Sequence, residues 1–148
     1  VTFRSIGDIA ADIIGNLASG EQWRPAVGHP GYEVSNHGRV RSLDRVLTLR
    51  GRDGEDIYRR HRGRVLAPCA NASGHMVVTL GRGNSVYVHQ LVLTAFVGPA
   101  PAGEEGCHDD GDASNNRLTN LRWGTRASNV ADSVRHGTHN FLKENRYV

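Results

Sequence analysis

The sequence predicts an α+β protein: an N-terminal amphipathic helix, a small antiparallel sheet module, and a compact strand–loop–strand–helix unit at the C-terminal end. Three patterns point there. Apolar residues recur at helical spacing over residues 5–17. Short runs rich in β-branched and aromatic residues follow, separated by glycine and proline. Beyond residue 98 a turn-rich stretch, DDGDASNN, lies between two short extended pieces and a capped helix.

The elements follow in order. In the first helix Ile6, Ile9, Ala10, Ile13, Ile14 and Leu17 form one stripe, Ser5 and Asp8 resemble a capping box, and Gly20 is a stop. Residues 32–34 and 39–42 read as strands around a Ser-Asn-His-Gly turn. Residues 48–62 are polar, charged and turn-prone, and read as an exposed loop. Residues 64–67, 76–80 and 85–88 read as strands, the last two joined by Gly81-Arg82-Gly83-Asn84. HQLVLTAF, residues 89–96, reads as a short helix, and the Gly-Pro-Ala-Pro-Ala-Gly stretch at 98–103 as the best internal boundary. Residues 106–108 and 121–123 are the last strands. Thr125 caps a helix running from Arg126 to about Arg135 and stopping at Gly137. The expected units are residues 1–20, 21–97 and 98–148.

At 148 residues the chain is long enough to bury a core without metal or disulfide. No apolar run approaches the roughly 18–20 residues of a membrane span, so no membrane partner is expected. The start lacks the basic-then-apolar pattern of a secretory signal, and two cysteines without a C-x-x-C make no disulfide framework. Reduced thiols in a cytoplasmic setting are therefore expected. The formal charge is +3, and seventeen of the eighteen basic residues are arginine. Nine arginines fall within residues 35–66 against four acids, while residues 104–112 hold five acids and no Lys or Arg. A basic stretch and a separate acidic cluster fit a phosphate-binding surface beside a metal-attracting site.

The chemistry gathers in the C-terminal unit. His108 ends one strand, Asn120 opens the return strand, and Asn129 lies in the first turn of the helix, so the three can converge. A neutral imidazole is a fitting base near pH 7. A side-chain carbonyl such as that of Asn120 can accept its other ring N–H, and Asn129 can offer an oxygen to a cation. GCHDDGDASNNRLTNLRWGTRASN resembles the HNH endonuclease motif of phage and intron-borne homing nucleases. EQWRPAVGHPGYEVSNHGRVRSLDR resembles the NUMOD4-type DNA-binding module, and VYVHQLVLTAFVGP the usual entry to the HNH unit. The resemblance covers about residues 21–137. It implies a ββα-metal (HNH) finger that hydrolyses phosphodiesters of double-stranded DNA with one divalent ion, leaving 5′-phosphate and 3′-hydroxyl ends.

By that resemblance His108 is the general base, Asn120 the middle asparagine and Asn129 a metal ligand. Relatives often carry Asp just before the base, where this chain has Cys107. Cys107 reads as a thiolate ligand, a small buried hydrophobe or a redox-sensitive neighbour. With oxygen ligands the ion is Mg²⁺ or Mn²⁺; a thiolate shifts preference to Zn²⁺, Co²⁺ or Ni²⁺. Asp109, Asp110 and Asp112 read as a turn, or as a source of the missing carboxylate. Arg39, Arg41 and Arg45 alternate and are expected on one DNA-facing side, with Arg59, Arg60, Arg62 and Arg64 tracking a phosphate backbone from a loop. His89 reads as structural, as do Trp23, Tyr32 and Trp123. The alternative function is a catalytically silent DNA-binding regulator on the same fold. One finger cuts one strand, so a monomer nicks and a homodimer cuts both; the N-terminal stripe packs on the chain's own sheet or on a second copy.

Overall fold

The computed structural model describes residues 20–137. The helix expected at residues 5–17, and the dimer contact it offers, lie outside the described residues. Three short strands open the described chain: β1 (Trp23–Pro25), β2 (Tyr32–Ser35) and β3 (Val40–Ser42) form an antiparallel sheet in that order. The Ser-Asn-His-Gly turn between β2 and β3 closes as the sequence predicts. Ser35 Oγ accepts from the backbone N–H of His37 and of Arg39, and Gly38 takes φ +81°, a conformation that favours glycine.

The charged stretch read as a loop is a β-ribbon. β4 (Arg45–Arg50) and β5 (Asp56–His61) pair antiparallel along six residue pairs, from Arg45↔His61 to Arg50↔Asp56. Val46, Thr48, Ile57 and Tyr58 are strand formers whose signal is diluted by the charges around them. The Arg50–Asp56 ion pair at 3.3 Å spans the strands next to the turn, which Gly51 and Gly54 close. The ribbon supplies no residue to the core, and Val46, Leu49, Ile57 and Tyr58 stay exposed. It therefore stands out from the body. Residues 64–67, expected as a strand, make only one bridge, Val65↔Arg41, with hydrogen bonds that tie this segment to β3.

A second three-stranded sheet follows, β6 (Cys69–Ala70), β7 (Met76–Leu80) and β8 (Asn84–Tyr87), in sequence order. Helix α1 (Val88–Phe96) then begins without a loop, one residue earlier than its apolar pattern suggests. It is the centre of the molecule. Val88, Leu91, Val92 and Leu93 are buried and join Ala26, Val34 and Val40 on one side, Val78 and Leu80 on another, and Leu121 on a third. Burying each such side chain contributes about 1.5–3 kcal/mol. One core therefore spans the stretch at 98–103. That stretch is itself tied down: the Trp123 indole N–H donates to the Gly98 carbonyl at 3.1 Å.

The last unit is β9 (Glu104–His108), a 3-10 turn (Leu118–Asn120), β10 (Leu121–Thr125) and helix α2 (Arg126–Arg135). β9 and β10 pair antiparallel from Thr125↔Glu104 to Leu121↔His108. α2 is capped as expected: Thr125 Oγ1 accepts from the Ser128 N–H at 3.2 Å, and Gly137 beyond its end has φ +67°. Gly106 lets α1 approach β9, because a Cβ there would meet His89 Cδ2 at 2.6 Å and Leu93 Cδ1 at 3.2 Å. Small antiparallel sheets with two helices make this the α+β fold that the sequence predicts. No helix among the described residues is long and apolar enough to cross a membrane.

Candidate active site

His108 is buried at the end of β9 and lines a cavity walled by Gly106 and Gly111, by Asn129, Asp132, Ser133 and His136 of the α2 region, and by Ser73 and His75 from the β6–β7 turn. The hairpin and the helix thus bring His108 and Asn129 to one cavity. Asn116, not Asn120, contacts the histidine. Its Oδ1 lies 3.2 Å from His108 Nε2, and its Nδ2 donates to the Ser114 carbonyl at 3.2 Å, which turns the oxygen toward the ring. An amide oxygen only accepts, so Nε2 carries the proton and Nδ1 is left with its lone pair. Asn116 is itself buried, and Gly38 packs against it: a Cβ at 38 would stand 2.7 Å from the Asn116 carbonyl oxygen. The Leu118 N–H donates to the Asn36 carbonyl, so the β2–β3 turn braces the loop.

Asn120 holds the loop instead. Its Oδ1 accepts from the Asp110 N–H at 3.0 Å, and its Nδ2 donates to Asp110 Oδ1 and the Asn115 carbonyl, both at 2.9 Å. Asp110 and Asp112 are turn residues. Asp112 Oδ1 accepts from the Ser114 N–H and hydroxyl, and Asp110 Oδ1 from the Asp112 N–H. Against the opposing effect of burial, the bonds from Asn115, Asp112 and Asn120 hold the Asp110 carboxyl below its usual range. Asp109 and Asp132 are bridged by Arg122, and Asp132 also pairs with Arg135 at 2.6 Å.

Cys107 is 1% exposed. Its Sγ donates to the Glu105 carbonyl at 3.6 Å and packs against Gly124. Burial pushes the thiol's pKa up, which favours the neutral form, whereas metal binding needs the thiolate. Without a metal ion the side chain packs as a small buried hydrophobe does. Glu105, two residues earlier on the same strand, accepts a hydrogen bond from Asn129 Nδ2 at 2.6 Å. Among the described residues no three His, Cys, Asp or Glu side chains form a ligand group. The oxygen donors of Asn129 and Glu105 nevertheless fit a hard divalent ion of the kind that keeps several waters and takes the rest of its shell from a substrate phosphate.

Three imidazoles meet beside the cavity. His75 lies 5.7 Å from His108 and 5.4 Å from His89, centre to centre, and His89 lies 5.2 Å from His108. Burial, with repulsion from His108 and His75, lowers the His89 pKa to about 4. Burial and His108 also lower that of His75. His89 is a buried, neutral packing residue, as its sequence context suggests. Sequence reading missed Asn116, Glu105 and His75. The strand alternation that places Glu105 on the Cys107 face is the signal that could have found one of them; His75 is joined to the site only by tertiary packing.

The arginines divide. Arg39 grips buried Glu21 with Nε at 2.9 Å and with Nη2. Arg41 pairs with Glu33 at 2.6 Å and lies 4.1 Å above the Trp23 ring. Arg45 stands over Tyr32. Each of these three, expected on a DNA-facing side, has a partner within the sheet module, and Arg39 is exposed as well. Trp23 and Tyr32 carry arginines on their rings as well as packing in the module. Arg59, Arg60, Arg62 and Arg64 are exposed, the first two on β5 rather than on a loop; Arg60 reaches Asp44 at 3.2 Å, and the other three make no ion pair among the described residues.

This geometry has counterparts. The HNH endonuclease family model matches residues 86–131, and the NUMOD4 motif model matches residues 21–81. DNA endonuclease I-HmuI of Bacillus phage SP01 is 33% identical over 123 residues, which are 82% of this chain and 63% of that protein. A solved structure described as DNA binding and cleavage by the HNH homing endonuclease I-HmuI superimposes with a TM-score of 0.61 at 29% identity, covering 84% of this chain and 64% of that one. The chain thus spans just under two thirds of the length of these relatives. With its histidine-ended hairpin, its capped helix and a NUMOD4 match ahead of them, the chain is similar to HNH endonucleases along the residues these comparisons cover.

Proposed function

We propose that this chain is a metal-dependent DNA endonuclease of the homing type that hydrolyses phosphodiester bonds in double-stranded DNA, one strand per finger. The observation that carries the reading is His108, an imidazole with Nε2 engaged by Asn116 and Nδ1 without a partner among the described residues, in a cavity shared with Asn129. His108 Nδ1 takes a proton from water as the water oxygen attacks phosphorus in line with the bond to O3′. That bond breaks, and O3′ takes a proton from solvent water, leaving a 5′-phosphate and a 3′-hydroxyl. Asn116 Oδ1 keeps its hydrogen bond to Nε2–H throughout, which stabilises the imidazolium that forms. HNH endonucleases generally use a divalent metal ion. Such an ion, held here by Asn129 Oδ1, would neutralise charge developing at the phosphate and the leaving oxygen. Oxygen donors favour Mg²⁺ or Mn²⁺, and the buried Cys107 thiol argues against the softer Zn²⁺, Co²⁺ and Ni²⁺.

The DNA reading rests on the same family and on the β4–β5 ribbon. A two-stranded ribbon has the width a major groove admits, and Arg59, Arg60, Arg62 and Arg64 follow one another along it and just beyond it. The test is conversion of supercoiled plasmid carrying target DNA to open circles with a panel of divalent ions. His108→Ala should lower the rate by about 10²–10⁴-fold, as loss of a general base does, with DNA affinity unchanged. Retention of more than half the rate by that variant refutes the assignment. DNA binding without cleavage by the wild-type chain under every ion supports the silent regulator instead.

A further inference from the structure

A divalent cation at Asn129 lacks an anionic partner if the carboxamide acts alone, because an amide carries no charge. Hard divalent ions in sites completed by substrate phosphate are held by at least one carboxylate as a rule. Most acids of the C-terminal unit have other work. Asp109 and Asp132 are neutralised by Arg122, and Asp132 also by Arg135. Asp110 uses both oxygens, and Asp112 its Oδ1, on turn N–H groups and neighbouring side chains. Cys107 is turned into the packing beneath α2.

Glu105 differs from these in its contact with Asn129. It is exposed, and no cation among the described residues pairs with it. Its one side-chain bond among the described residues, from Asn129 Nδ2 to Oε1 at 2.6 Å, joins it to the helix residue that faces the His108 cavity. That bond leaves Glu105 Oε2 and Asn129 Oδ1 without a partner among the described residues, so two hard oxygens on adjoining groups are available together. On β9 the alternation of side chains puts Glu105 on the face that Cys107 shares, one strand repeat back.

We infer that Glu105 is the anionic ligand of the divalent ion, sharing it with Asn129 Oδ1, and that this carboxylate supplies the negative charge position 107 does not. The inference rests on the nuclease reading above and adds the residue that binds the ion.

The test is a Mn²⁺ titration of the full chain, read by the electron paramagnetic resonance of free and bound ion, without DNA. Glu105→Gln is the informative variant. Glutamine still accepts the bond from Asn129 Nδ2, so positioning survives and only the charge is lost. Mn²⁺ affinity should fall by about tenfold or more, the lower range expected when a metal site loses a supporting group. Cys107→Ala should leave Mn²⁺ affinity unchanged, and Asn129→Ala should weaken it. Unchanged affinity in Glu105→Gln overturns the inference, as does a loss in Cys107→Ala or a wild-type chain that binds no Mn²⁺ at millimolar concentrations. Plasmid cleavage measured in parallel separates the two readings. If the wild type cleaves with Mn²⁺ while Glu105→Gln binds the ion normally, only the ligand assignment fails. If the wild type fails to cleave under every ion of the panel, the nuclease reading fails.

Discussion

Asn116→Ala separates two asparagines that the sequence presents as near equals. Asn116 is 6% exposed, accepts from His108 Nε2 at 3.2 Å and donates to the Ser114 carbonyl at 3.2 Å. Removing it leaves a buried ring N–H without its acceptor, at a cost of about 1–3 kcal/mol in folding stability. It also frees the imidazole to place its proton on Nδ1, the nitrogen that must accept one. Loss of a histidine's orienting partner lowers activity by about 10–100-fold, which corresponds to about 1.4–2.7 kcal/mol of transition-state stabilisation. The expected result is a kcat lowered in that range, with KM and DNA affinity near wild type. Asn120→Ala should behave differently. It removes three bonds that hold residues 110–115, so its main effect is a lowered melting temperature, with activity lost in proportion to unfolding at the assay temperature. Nicking kinetics on plasmid, paired with thermal denaturation of each variant, checks both. An Asn116→Ala protein that nicks within twofold of wild type refutes the tautomer argument, and a folded Asn120→Ala protein with the larger kcat loss reverses the two roles.

Gly38→Ala should cost about 2–4 kcal/mol, from a left-handed backbone that alanine resists and from a Cβ pressed 2.7 Å from the Asn116 carbonyl oxygen; lowered kcat in the fraction that remains folded checks the coupling to His108. His89 has a folded pKa of about 4 against about 6.5 unfolded, so below pH 6.5 the unfolded chain binds the extra proton. Stability should therefore fall as pH drops from 6.5 toward 4, and urea melts of wild type and His89→Leu, which should lack this part of the slope, test it. Replacing Arg59 and Arg62 by Ala should reduce the salt dependence of DNA binding by about 0.9 in log–log slope for each phosphate no longer neutralised. Replacing Arg39 should instead lower the melting temperature, since its guanidinium neutralises the buried Glu21 carboxylate; fluorescence anisotropy over a salt series, with melting curves, distinguishes the two sets.

Local chemistry made the C-terminal unit legible. Thr125 as cap, Gly137 as stop and the strand ending in His108 are each decided by a few consecutive residues, and the structure agrees with all three. The apolar runs MVVTL and HQLVLTAF were equally readable, because a residue pattern that buries one face is visible in any window long enough to show its period. Charge obscured the β4–β5 ribbon: its strand formers are real, but high polarity carries the signature of a loop when the partner strand is not known.

Partners distant in the chain could not be read from one strand's pattern. Alternation puts Arg39 and Arg41 on one side of a strand, yet only the register of β2 against β3 sets Arg41 beside Glu33, and only the path of the chain brings Glu21 to Arg39. Four asparagines lie between positions 115 and 129, chemically alike and all within reach of a small site. From the residues alone, the unit carries a base and amide oxygens. The tertiary structure decided which amide touches the base, because a loop braced by Asn120 and by the Gly38 turn turns Asn116, and not its neighbours, toward His108.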